Sequence, residues 1–314
     1  MSVQTMAAPA LVAAPTTRRL VRRREQWTPY VFLAPYLVLF IMFVVVPAVY
    51  GLWISLHNWD YMVDYAPFVG LDNYTRLFDS ESPAAADFWQ SMKATGQFTL
   101  YSVPPLVVAP LVVAVLLNRS FRGRTFFRAV FFAPYVLGIA VIGVLFSFIL
   151  DPNIGLLNDY LGRLGVASNI PWTTSMPEAW FSLVGVTVWW TLGFNAVIYL
   201  AGLQAIPRDL YEAAAVDGAN AMQSFWHITL PGLRRVLVFV VTITVLASAN
   251  MFGQSYLITH GGPGTETRVA IMLIAEEGLA NFRMGSASAM SFILMFFLVA
   301  LASGMFALFR RWED

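Results

Sequence analysis

Six stretches, near residues 30–56, 94–117, 129–150, 179–203, 236–258 and 284–309, run without a single Asp, Glu, Lys, Arg or His. At about 1.5 Å of rise per residue, about 20 apolar residues carry a helix across the hydrocarbon of a bilayer, and each stretch reaches that length. The expected fold is an all-α membrane protein with six transmembrane helices. Charge is sparse elsewhere too: 12% of the residues are charged, against about 25% in an ordinary soluble domain. No internal repeat or long linker divides the apolar body, so one membrane domain is expected over 29–314. Pro47, Pro104, Pro105, Pro110 and Pro134 fall inside the stretches and are expected to kink or unwind their helices. Residues 1–28 carry MAAPALVAAP followed by TTRRLVRRRE. A secretory signal has the opposite order, charge first, so this part reads as a flexible basic cytoplasmic tail.

Orientation follows from the basic residues, because cytoplasmic loops hold the excess of Lys and Arg. Fourteen of the nineteen lie in the tail, in 118–128, between the fourth and fifth stretches, and at the C-terminal end. The other five are Arg76, Lys93, Arg163, Arg268 and Arg283. Both termini and the connection between the fourth and fifth stretches are therefore expected in the cytoplasm. The outer loops hold Trp59, Tyr61, Tyr65, Tyr74, Trp89, Tyr160 and Trp172, residues suited to an ordered, interfacial position. Short arginine clusters beside apolar helices orient those helices; no nucleic-acid partner is expected.

The connection between the fourth and fifth stretches reads YEAAAVDGANAMQSFWHITLP over 211–231. Pro207 suits the first turn of a helix running to about 217, and Asp209 and Glu212 place negative charge near its positive end. Ala213, Ala214 and Ala215 favour the helix and present a low surface that a neighbouring backbone can approach. Gly218, just after Asp217, is placed to end the helix in the left-handed conformation. Asn220 can cap a second short helix near 221–228, which Pro231 is expected to stop. Two uses fit such a hairpin: a surface built to dock a partner, with Glu212 as its isolated acid, or a plain connector.

The order E-A-A, three residues, G, nine residues, I, one residue, L-P is met by Glu212, Ala213, Ala214, Gly218, Ile228, Leu230 and Pro231. It resembles the cytoplasmic loop of bacterial ABC importer permeases. LAGLQAIPRDLYEAAAVDGA resembles more narrowly the carbohydrate branch, the maltose- and glycerol-phosphate-type permeases. FVGLDNY (68–74), FFRAVFFAPY (126–135) and THGGPG (259–264) match at the first, third and fifth stretches. Ala94 departs from the family, which often has Asn before Thr95, and the basic tail lies outside the likeness. The resemblance implies that this hairpin is a coupling helix seated in a cleft of a cytoplasmic ATPase, with Glu212 paired to a basic residue there and Gly218 making the turn. It also implies a second homologous permease, two ATPase subunits that hold the ATP and Mg, and an extracytoplasmic solute-binding protein docking on loops such as 57–93 and 259–283.

The chain itself lacks a phosphate-binding loop. Its single Lys, Lys93, follows Met92 rather than a glycine, and Gly261 and Gly262 stand before Pro263, unlike an ABC signature. Proton-driven carriers place an acid or His inside the membrane, and the six stretches have none. With no Cys, and with His57, His227 and His260 far apart, no metal site is expected, and no cofactor is expected on this chain. The same lack of acids, bases and ligands at depth speaks against an intramembrane enzyme.

An uncharged path suits a neutral hydroxylated solute. Thr187, Thr191, Asn195 and Tyr199 recur every four residues in the fourth stretch, and Thr244, Ser248, Met251 and Ser255 recur at four, three and four in the fifth, so each set lies on one helical stripe. Such residues also hydrogen-bond within helix bundles with no solute involved. Resemblance to the maltose-type permeases points to Tyr135 on the third stretch, Thr187, Trp190 and Thr191 on the fourth, and Thr244, Ser248 and Met251 on the fifth. The expected cargo is a di- or oligosaccharide or a polyol. The alternatives are glycerol 3-phosphate or a glycerophosphodiester in the same machinery, or a self-sufficient secondary transporter.

Overall fold

The computed structural model describes residues 27–310 apart from 64, 167 and 168; the arginines of the expected basic tail, and Arg311, lie outside the described residues. The chain divides into two compact units, Met1–Trp53 and Ile54–Asp314.

The first long helix, α1, is Pro29–Ser55. Proline lacks an N–H and its ring crowds the carbonyl one turn back. At Pro47 the helix remains unbroken because a π turn over Ile41–Val45 precedes it, with the amide of Val46 reaching Ile41 O. Expansion by one residue gives the chain room that a regular turn lacks.

The second unit contains α2 (Pro83–Asn118), α3 (Arg124–Val136), α4 (Ile139–Ile149), α5 (Leu156–Arg163), α6 (Glu178–Ala205) and α7 (Arg208–Val216). It continues with α8 (Ala221–Gly232), α9 (Arg234–Ala249), α10 (Ala270–Ala275, extended by a π turn to Ala280) and α11 (Met284–Arg310). By length and composition α1, α2, α6 and α11 can each cross a bilayer. The third stretch forms a bent pair, α3 meeting α4 at 93°, and the fifth begins in α9, which meets α8 of the preceding hairpin at 68°. Counted as spans, those pairs bring the four long helices to six.

The structure differs from the sequence reading at several prolines and helix ends. Pro104, Pro105 and Pro110 stay inside α2, a continuous helix of 36 residues. The third stretch breaks after Leu137, whose backbone is extended, rather than at Pro134, which remains within α3. Pro231 does not stop the second helix of the hairpin. It occupies the first turn of the segment after a π turn at Phe225–Thr229, and the chain bends at Leu233 instead. Within the fifth stretch the helix α9 ends at Ala249, where both the backbone N and the side-chain Nδ2 of Asn250 turn back to Leu246 O, at 3.1 and 2.8 Å.

Helix α2 packs chiefly along α6 and α9, and α6 also holds α3. Gly193 permits the last contact: a Cβ there would lie 2.1 Å from Phe131 O. Two apolar clusters divide this bundle lengthwise. One contains Phe98, Ile142, Leu183, Val186 and Met272; the other contains Ala114, Ala196, Tyr199, Leu203, Leu233 and Val240. The middle turns of α2, α6 and α9 lie between them.

Candidate functional site

A cavity of about 850 Å³ opens at those middle turns. All eight residues placed on the candidate path line it: Tyr135 on α3, Thr187, Trp190, Thr191 and Asn195 on α6, Thr244 and Ser248 on α9, and Met251 just beyond. The stripes do not continue as far as expected. Tyr199 is fully buried in the second apolar cluster, and Ser255, past the end of α9, is buried and bonded to Thr267 O.

Two of these side chains also repair the backbone. Pro110 has no N–H to offer Leu106 O one turn back, and Asn195 Nδ2 donates to that carbonyl at 3.1 Å. The break after Leu137 frees another carbonyl, and Trp190 Nε1 donates to it at 3.0 Å. Both donors are thus engaged within the protein. Asn195 Nδ2 also lies 3.5 Å from Thr244 Oγ1, while its Oδ1 has no partner among the described residues.

The hydroxyls behave similarly. Thr187 donates to Leu183 O at 2.7 Å and accepts from Gln254 Nε2 at 3.3 Å, which uses its proton and one of its two lone pairs. Thr191 donates to Thr187 O at 2.8 Å, which leaves its oxygen lone pairs open. Ser102 Oγ donates to Ser248 Oγ at 3.0 Å, linking α2 to α9. Aromatic faces complete the wall: Tyr135 stacks on Phe194 at 4.6 Å and lies 6.1 Å from Trp190. None of the lining residues is charged. A solute there meets aromatic faces, acceptor oxygens, and the hydroxyls of Tyr135, Ser248 and Tyr256, which donate to nothing among the described residues.

Sequence reasoning missed Phe194 and Gln254. Phe194 lies one residue before Asn195 and gave no polar signal. Gln254 is a lone amide in an apolar stretch, which is the trace that marked Asn195. Gly253 beside it is pressed against α4, where a Cβ would lie 2.6 Å from Ile139 Cγ1. The interruptions in the third and fifth stretches therefore abut at the cavity wall.

The hairpin has the predicted local chemistry. Gly218 is left-handed at φ 80°. The amide of Ala219 bonds Ala214 O at 2.8 Å and that of Gly218 bonds Ala215 O at 3.1 Å, a complete Schellman closure of α7. Asn220 and Gln223 form a reciprocal capping box at 2.9 and 2.8 Å. Tyr211 Oη lies 3.0 Å from Thr229 Oγ1, tying α7 to α8, and Ile228 packs on the second apolar cluster. Ala214, Asp217, Gly218 and Ile228 meet in a notch of about 370 Å³. Glu212, Ala213 and Pro231 lie outside that notch and are exposed. Glu212 has no ion pair or hydrogen bond among the described residues, and Val216 on the same helix is 88% exposed.

The chain is similar to proteins whose names bear on this geometry. It is 33% identical to the probable ABC transporter permease protein YurN of Bacillus subtilis (strain 168), over 91% of this chain and 97% of that one. It is 34% identical to the trehalose/maltose transport system permease protein MalF of Thermococcus litoralis, over 91% and 96%. It is also 34% identical to the sn-glycerol-3-phosphate transport system permease protein UgpA of Shigella flexneri, over 88% and 92%. Its fold matches a chain of a bacterial ABC transporter that imports the acidic polysaccharide alginate, with a TM-score of 0.79 at 24% identity over 94% of this chain and 99% of that one. A second structure of the alginate transporter, holding a periplasmic protein loaded with alginate pentasaccharide, matches with the same TM-score at 23% identity, over 94% and 98%. The model of the binding-protein-dependent transport system inner membrane component matches residues 97–314, and the chain belongs to that family.

Proposed function

We propose that this chain is a six-span permease subunit of an ATP-driven importer, and that it passes a neutral sugar or polyol through the cavity by alternating access. The observation that carries the reading is the charge-free cavity midway along α6, with an apolar cluster to either side of it along that helix. Its volume falls in the range of small-molecule sites, about 300–1,000 Å³. Sugar rings have apolar faces that suit Tyr135, Trp190 and Phe194, and hydroxyls that can donate to Thr191 and Asn195.

The ATP and Mg belong to two copies of a partner ATPase. The hairpin docks there, with Glu212 as the charged contact and Val216 among the apolar ones. A second homologous permease and an extracytoplasmic solute-binding protein complete the assembly, as the family and the alginate systems support. The hairpin and both termini face the cytoplasm of a bacterial inner membrane.

Relatives named for glycerol 3-phosphate favour a second reading, import of that anion. It requires the partner permease to supply the cation that this cavity lacks.

The test is uptake into proteoliposomes containing the chain with its partner permease and ATPase. ATP-dependent accumulation of a neutral sugar or polyol is expected. Glu212→Arg should leave the chain's melting behaviour unchanged while lowering ATPase co-purification about tenfold or more, since like charges juxtaposed at an interface cost several kcal/mol. Uptake by the chain alone in ATP-free vesicles, or unchanged coupling in the variant, refutes the reading.

A further inference from the structure

We propose that the loop between α2 and α3 binds the phosphodiester headgroup of an anionic phospholipid. The segment NRSFRGRTFFR, 118–128, holds four arginines and no acid. Arg119, Arg122 and Arg124 are exposed, and none has an ion pair or hydrogen bond among the described residues. Two arginines of the expected outer loops are paired, Arg76 with Asp72 at 2.5 Å and Arg163 with Asp159 at 2.8 Å, whereas Arg208 and Arg235 at the hairpin are exposed and unpaired among the described residues as well, but singly and without an aromatic flank of three phenylalanines. Orientation of helices accounts for positive charge on this loop, but not for the arrangement that holds it in place.

Arg128 provides that arrangement. Its Nη2 donates to Leu117 O at 3.1 Å, so it clasps the end of α2 to the first turns of α3 and keeps the intervening arginines in one short loop. Its Nε is buried without a hydrogen-bond partner, an unmet donor on the residue that closes this arginine-rich segment. Helix starts ordinarily gather acidic side chains. Here α3 opens on Arg124, with Gly123 at φ 88° as an N-cap that supplies no side-chain acceptor. Like charges accumulate at this end, and an anion from outside the chain relieves them.

The aromatic flank selects a lipid over an aqueous phosphate. Phe121, Phe126 and Phe127 are exposed and cluster, with Phe127 5.9 Å from Phe121 and 5.8 Å from Phe126. The exposed apolar surface continues along α3 through Val130 and Phe131. A double-chained anion can place its phosphate on the arginines and its acyl chains along that surface, whereas free phosphate uses only the first. Clustered juxtamembrane arginines and aromatic side chains are recurrent partners of anionic headgroups.

The test uses the full chain purified in mild detergent, titrated with phosphatidylglycerol or phosphatidylcholine and read by native mass spectrometry. The wild-type chain should retain phosphatidylglycerol selectively. Replacing Arg119, Arg122 and Arg124 together by Gln should weaken retention about a hundredfold, at roughly fivefold per guanidinium. The corresponding triple Lys variant should keep most of it, which separates charge from misfolding. Arg122→Gln alone should show the roughly fivefold step if the triple variant fails to fold, and Arg163→Gln should have no effect. Equal retention of the two lipids, unchanged retention in the Gln variants, or displacement of the lipid by excess inorganic phosphate overturns the proposal.

Discussion

Gly193 offers a direct test of how the cavity wall is held. It lies on α6 against the backbone of α3, where an added Cβ would meet Phe131 O at 2.1 Å, Phe131 C at 2.6 Å and Phe132 Cα at 2.6 Å. Ordinary contact begins at 3.4 Å, so Gly193→Ala must drive α3 back by about 1.3 Å against backbone atoms that have no rotamer to change. Overpacking of this kind costs about 1–3 kcal/mol. Alanine's higher helix propensity returns at most about 1 kcal/mol, leaving a net loss of about 0–2 kcal/mol with the full return. Gly185 is the internal control, because it lies on the same helix and nothing comes within 4 Å of its added Cβ. Only the propensity gain applies there. Thermal unfolding of the two purified variants in the same detergent should show Gly193→Ala melting below the wild type and Gly185→Ala at or above it. Equal melting of the two variants would refute the close approach of α3 and α6, and with it the placement of Tyr135 against Phe194.

Trp190→Phe keeps an aromatic wall but removes the donor to Leu137 O, a loss of about 1 kcal/mol. Faster hydrogen exchange over 137–142 is expected, and unchanged protection there would show that the break does not depend on the indole. Asp151 sits outside the spans, where the amides of Ile154 and Asn153 hold its carboxyl below the ordinary aspartate range. A depressed pKa means that this turn is at full strength above the unfolded value, about 3.9, and weakens only as the pH falls through the lower folded value. A carbon-13 titration of Asp151 in lipid nanodiscs should therefore show a midpoint below that of a free aspartyl peptide.

What could be read in advance was whatever depends on local chemistry. The Asn220 cap, the left-handed Gly218 and the uninterrupted apolar lengths of α1, α6 and α11 are all written within a few neighbouring residues. The polar members of the cavity were legible for a related reason, since a four-residue recurrence marks one face of a helix whatever surrounds it. The breaks were not legible. Pro134 carries the local signal for a kink, but the chain turns three residues later, where Trp190 from a distant part of the sequence meets the freed carbonyl. Pro110 likewise looks disruptive until Asn195 supplies the donor it lacks. Where a helix ends in this protein is decided by which neighbour can satisfy the backbone, and that information is tertiary.

The ends of the hairpin clasp one another as well. A Cβ on Gly232 would lie 2.9 Å from Ile206 Cδ1, and Tyr211 reaches across to Thr229. Helices α7 and α8 thus leave no slack between the foot of α6 and the foot of α9. Under the proposed docking of an ATPase on that knob, a push there would travel as through a stiff crank to the two rods whose midsections line the chamber side by side.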